Sequence, residues 1–121
     1  MSMKEEEEEK KSPLSGGSSS TAKELAVHGK NIFDKISAPC HGVRGEGKLG
    51  PAIIGPKSKL VKYKTAKGLL DFISELMPMD NPGSLKPEEY LAVMSFLLLE
   101  NKLVDGEIDM KPDQLEKIKL G

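Results

Sequence analysis

The stretch that most restricts the fold is "GVRGEGKLGPAIIGPKS", residues 42 to 58, with five glycines and two prolines in 17 positions. Neither a helix nor a strand tolerates that density of breakers, so the segment is a loop. Loops of this length are uncommon in small domains unless they wrap something. The chain has 121 residues, enough for one small domain. Only 37% of its residues are hydrophobic and 4% aromatic, with no Trp. A chain so poor in core-forming residues commonly relies on a disulfide, a metal or a cofactor. One cysteine excludes a disulfide within the chain. A large apolar cofactor would fill the gap and give the loop something to enclose.

Helical patterns flank the loop. "TAKE" at Thr21–Glu24 has the form of a capping box. From there Leu25, Gly29, Ile32, Phe33 and Ile36 share one helical face. Gly29 costs about 1 kcal/mol in a helix interior relative to Ala, so its place on the apolar face points to a close helix crossing. "TAKGLLDFISEL" (65–76) predicts a second helix with Leu69, Phe72, Ile73 and Leu76 on its stripe, ended by "MPMDNPG". A third opens at Pro87, with Glu88 and Glu89 in the first turn where the helix dipole favours acids. Its apolar side carries Tyr90, Val93, Met94, Leu97 and Leu98. No strand-like alternation appears. The fold class expected is all-α.

Residues 1–21, charged and then Gly/Ser-rich, cannot bury a core and read as a disordered tail or linker. They lack the apolar run of a signal peptide, and the longest apolar run, "FLLL" at 96–99, is far too short to span a bilayer. Net charge is −1, which argues for neither nucleic acid nor membrane binding.

The chemistry-bearing residues lie at the edges of the loops. "SAPCHG" (37–42) places the single Cys40 directly before His41, and "MPMDNPGSL" begins 36 residues after His41. A Cys-His dipeptide alone is weak. A first helix with Gly29 and Phe33, Cys40-His41-Gly42, the Gly50-Pro51 loop, the Met77-Pro78 loop and a last helix bearing Phe96 form, in that order, a specific combination. In these features residues 22–121 resemble the class I c-type cytochromes, most of all the cytochrome subunits or domains of sulfite, alcohol and sugar dehydrogenases. The resemblance implies a cytochrome c domain over 22–121, with about three main helices and long loops around one haem. It implies His41 and Met77 as axial ligands of the haem iron, the Pro51 carbonyl accepting the other ring proton of His41, and Cys40 bound covalently to haem. Met79 competes with Met77, and the family's ligand-before-proline pattern favours Met77. His28 reads as a surface or packing residue, and Tyr63 as a surface residue or a contact to a haem carboxylate.

The departure is Ser37, which stands where the family has its first cysteine. Serine forms no thioether, so at most one covalent bond to haem is available, or attachment is partly non-covalent. A decayed site that binds no haem is the competing reading. Intact ligand and loop motifs favour a working one.

The resemblance implies one-electron transfer, not enzymatic catalysis, between a dehydrogenase and a respiratory acceptor. The alternative is a haem-based sensor or gas-binding domain in which Met77 is displaced. Two other classes fit poorly. Adjacent Cys40 and His41 are badly placed as nucleophile and base, and one Cys with two His leaves too few ligands for a closed zinc site. Lys57, Lys59, Lys62, Lys64 and Lys67 crowd into eleven residues without an acid, although the chain from Ala22 onward has 15 basic and 14 acidic residues. They are a candidate docking patch for an acidic redox partner, or a solvated loop. A c-type cytochrome matures outside the cytoplasm, so the expected location is the periplasm or an extracytoplasmic membrane face, with any membrane tie through an anchor or fusion. The tail "DGEIDMKPDQLEKIKLG" (105–121) is expected to pack against the domain.

Overall fold

The computed structural model describes residues 21–121, so the expected disordered tail falls outside them except for Thr21. Among the described residues four α-helices form: α1 (Ala22–Ile32), α2 (Ala38–His41), α3 (Ala66–Leu76) and α4 (Pro87–Glu100), with 3₁₀ turns at Leu60–Tyr63 and Pro112–Lys117. Among the described residues two isolated bridges, Thr21 to Asp109 and Thr65 to Lys119, are the only β-type pairing. The chain is all-α and compatible with a small cytochrome-like fold.

The first helix starts as its sequence dictates. Thr21 Oγ1 accepts from Glu24 N–H at 3.3 Å, and the Glu24 carboxylate accepts from Thr21 N–H at 3.1 Å. The remaining free donors of the first turn go to the C-terminal tail. Ala22 and Lys23 N–H donate to the carbonyls of Ile108 and Gly106, both at 2.9 Å. α3 is treated alike: Thr65 Oγ1 accepts from Gly68 N–H, and Ala66 N–H donates to the Ile118 carbonyl at 2.9 Å. Met110, Leu115, Ile118 and Leu120 are buried. The tail therefore caps two helices and packs into the core, as its sequence led us to expect.

The helical path does not stop before the Cys-His pair. Phe33–Ser37 form a π-helical turn that joins α1 to α2 without a break, so Cys40 and His41 are the last residues of a single helical run. Pro39 supplies the reason. It has no N–H to give the Lys35 carbonyl and its ring would crowd that carbonyl. The widened turn, in which Ala38 N–H reaches the Phe33 carbonyl, accommodates it. The extra residue also rotates Ile36 off the core stripe, leaving it 39% exposed. Leu76, expected on the buried stripe of α3, is likewise half-exposed.

α4 is more deeply placed than its pattern indicated. Every residue from Tyr90 to Leu98 is buried, so it is the central helix and not an amphipathic one. Ser95 satisfies its hydroxyl on the Leu91 carbonyl at 2.9 Å. α1 crosses α4 at Gly29, where an added Cβ would overlap the Ala92 carbonyl. One turn on, the rings of Phe33 and Phe96 lie 5.2 Å apart, tilted by 51°. Gly29→Ala should cost about 1–3 kcal/mol through overpacking, because the nearest atoms are backbone and cannot swing away. A thermal melt should show a lowered midpoint; an unchanged one would mean the helices do not cross this closely.

Candidate functional site

Between the end of α2, the 51–63 segment, α3 and α4 lies a cavity of about 670 Å³. Its depths are apolar: Leu60, Leu69, Ile73, Val93 and Leu97 are buried and line it. That volume is in the range of about 300–1,000 Å³ typical of small-ligand sites.

Two residues that border the cavity, His41 and Met77, carry atoms of a kind that can ligate a metal. His41, the last residue of α2, is buried, and its Nδ1 lies 2.6 Å from the Pro51 carbonyl. A carbonyl can only accept, so Nδ1 carries a proton, and in the neutral ring the lone pair is then on Nε2. Gly50 makes room for the ring: a Cβ there would sit 2.7 Å from His41 Cε1 and 3.0 Å from Nδ1. The loop closes on the helix end, with Gly50 N–H donating to the Cys40 carbonyl and Gly47 N–H to the His41 carbonyl, both at 2.7 Å. Glu46 pins the same turn. Its carboxylate accepts backbone N–H groups, its own and that of Arg44, and these hold its pKa below the usual carboxylate value.

Met77, the residue just after α3, also lines the cavity and packs half-buried against the core. Met79 borders the cavity too but is 72% exposed, so packing sets the two methionines apart. Cys40 is a free thiol on the wall, and Ser37, three residues earlier on the same helical run, faces the same space. Tyr63 borders it as well, its ring 4.7 Å from that of Phe72. His28 on α1 is away from the cavity, and Met94 is fully buried core.

The lysine run divides. Lys57, Lys59 and Lys62 are exposed residues on the cavity wall, joined there by Lys35 from the π-helical turn. Lys64 and Lys67 lie off it. Lys67 is held by Asp71 at 2.9 Å, and that hydrogen-bonded contact raises its pKa.

Two residues that shape the site carried no legible signal. Tyr90 Oη donates to the Met77 carbonyl at 2.6 Å and accepts from Leu85 N–H at 3.3 Å, which ties the methionine loop to α4. Asn101, the residue after α4, uses its whole amide. Nδ2 donates to the Ile53 and Leu97 carbonyls, both at 2.8 Å, while Oδ1 accepts from Gly55 N–H and Ser58 Oγ at 3.0 and 2.9 Å. Residues 53–58 are thereby fastened beside Pro51. A tyrosine opening an apolar helix and an asparagine closing it look like boundary residues in sequence; their long-range partners are visible only in three dimensions.

No family model and no curated protein matches the sequence. Among solved structures, the chain is similar to one in the sulfane dehydrogenase SoxCD from Paracoccus pantotrophus. The TM-score is 0.64 at 19% identity, and the match covers 98% of this chain and 68% of that one. The two share a fold.

Replacing Asn101 by Ala should expose the amide of Gly55 to solvent exchange and lower stability by about 1–3 kcal/mol, the usual cost of orphaned partly buried groups. Hydrogen exchange at Gly55 reads the loop directly. Exchange as slow as in the parent chain would show that Asn101 does not hold it.

Proposed function

We propose that the chain is a mono-haem electron carrier in which His41 and Met77 are the axial ligands of the iron. The observation that carries this reading is that a proton-locked imidazole and a thioether border one apolar cavity. Among the described residues, no three His, Cys, Asp or Glu side chains gather into a metal site. A metal held here therefore needs most of its ligands from elsewhere, and a porphyrin supplies four nitrogens. The donor set fits: a neutral imidazole and a soft thioether suit haem iron.

Haem would supply a one-electron couple; the chain's own groups determine how it is held. Pro51 fixes the tautomer of His41 and the plane of its ring, as partners outside the metal shell commonly do. Tyr90 holds the backbone of Met77 in place. Leu60, Leu69, Ile73, Val93 and Leu97 keep water from the cavity floor, which favours the less charged state of the couple. With His41 and Met77 both bound to the iron, no coordination site would be left for a substrate, which supports a carrier over an enzyme. Cys40, a free thiol bordering the cavity, would form a single thioether, and Ser37 offers no second.

The similar solved chain belongs to a protein named as a dehydrogenase, and we place this carrier beside a dehydrogenase of that general kind, passing electrons to a further acceptor. Covalent attachment at Cys40 requires maturation on the extracytoplasmic side, and that is the location proposed. The lysines that lie off the cavity, Lys64 first among them, offer contact to an acidic redox partner.

The test is an absorption spectrum of the chain matured with a full haem-attachment system, oxidised and reduced, followed by acidified-acetone extraction. A low-spin reduced spectrum with haem that resists extraction is expected, and Cys40→Ala should make the haem extractable while leaving the spectrum low-spin. A chain that carries no haem after such maturation overturns the reading.

A further inference from the structure

Residues 77–85 form the loop that carries Met77. Met77 and Leu85 pack against the core at its two ends, and residues 79–84 between them are exposed. Inside the loop, Asn81 N–H donates to the Pro78 carbonyl and Ser84 N–H to the Asn81 carbonyl, at 2.9 and 3.2 Å. These are local turns and fasten the loop to nothing else. Met77 N–H continues the ladder of α3, donating to the Ile73 carbonyl at 3.0 Å. Among the described residues, the other hydrogen bonds that reach the loop from outside both end on one oxygen, Tyr90 Oη.

That hydroxyl joins the first residue of the loop to the last, donating to the Met77 carbonyl and accepting from Leu85 N–H. Leu85 N–H has no further partner among the described residues. The Met77 carbonyl has only a long second contact, from Gly83 N–H at 3.4 Å. The Tyr90 ring is 4% exposed and belongs to the buried stretch of α4, so packing fixes the oxygen and it cannot follow a moving loop. Met77, Leu85 and Tyr90 all line the cavity.

We propose that Tyr90 is a positioning residue that latches the 77–85 loop shut, and thereby sets how readily a small exogenous donor replaces Met77. This rests on the haem reading above and adds what separates a closed electron carrier from an open ligand binder. Opening the loop breaks both hydrogen bonds on Tyr90 Oη together. A ligand that enters only the open form has its apparent affinity reduced in proportion to the fraction of chains that are open. A residue that acts through opening therefore changes the affinity of chemically unlike ligands by one common factor. A residue that touched the ligand would favour one over the other.

The experiment titrates the oxidised, haem-loaded, full-length chain with imidazole and, separately, with cyanide, followed by the Soret absorbance. Tyr90→Phe keeps the ring and removes only the oxygen. It should tighten both ligands by the same factor, about tenfold, because the closed loop loses partners for two partly buried backbone groups. Hydrogen exchange at the Leu85 amide should quicken in the variant, with haem or without it. Gly29→Ala loosens the helix crossing away from the loop and controls for general destabilisation. It should lower the melting midpoint and leave both affinities as in the parent chain. Unchanged affinities in Tyr90→Phe, unequal factors for the two ligands, or an equal rise in Gly29→Ala would overturn the latch while leaving the haem reading intact. Leu85 exchange as slow in Tyr90→Phe as in the parent would overturn it as well. A chain that carries no haem to titrate overturns the haem reading and this proposal together.

Discussion

One hydrogen bond, from His41 Nδ1 to the Pro51 carbonyl, joins the two features of the sequence that are hardest to explain separately. On one side is a helix end that carries Cys40 and His41. On the other is a glycine-rich loop too polar and too broken to form structure of its own. Once Pro51 accepts from the ring, the loop is committed to fold back over the helix end, and Gly50 must be a glycine because the imidazole occupies the space of its Cβ. The same contact selects, for the neutral ring, the tautomer whose lone pair is on Nε2. A structural constraint and a chemical one are met by a single proton.

The scaffold around that contact is economical. α4 is buried along Tyr90–Leu98 and supplies both the support for α1 and part of the cavity floor. The crossing at Gly29 brings α1 close enough for Phe33 to meet Phe96, and so fixes the direction from which the run to His41 departs. The ends of α4 carry the polar ties: Tyr90 to the methionine loop at one, Asn101 to residues 53–58 at the other. The C-terminal tail consumes the free N–H groups at the start of α1 and α3, so two helix ends are settled without help from solvent.

Local rules made most of this legible in sequence. The Thr21 cap, the Gly29 crossing, the proline start of α4 and the loop between helices follow from capping chemistry, glycine geometry and breaker density. The Pro51 contact was available only through resemblance to c-type cytochromes, and the geometry now contains it. Three things lay beyond local rules. Pro39 set a π-helical turn into the first helical run, which moved Ile36 from the expected apolar face to the cavity. α4 showed a helical stripe although its whole circumference is buried, because Ser95 and Ala92 dilute the pattern without breaking the packing. The roles of Tyr90 and Asn101 depend on carbonyls 13 and 48 residues away, and no spacing rule reaches that far. The lysine run likewise looked uniform until the chain path placed three members on the cavity wall, set Lys64 off it and tied Lys67 to Asp71.

The account stands or falls on whether Met77 would meet the iron from the side of the cavity opposite His41. The proton NMR spectrum of the reduced, haem-loaded protein reports this directly, because the methyl group of an axial methionine is shifted far upfield by the ring current of the porphyrin. The account predicts one such methyl signal, retained in Met79→Leu and lost in Met77→Leu. A signal lost with Met79 instead, or no upfield methyl at all in the parent protein, would contradict it.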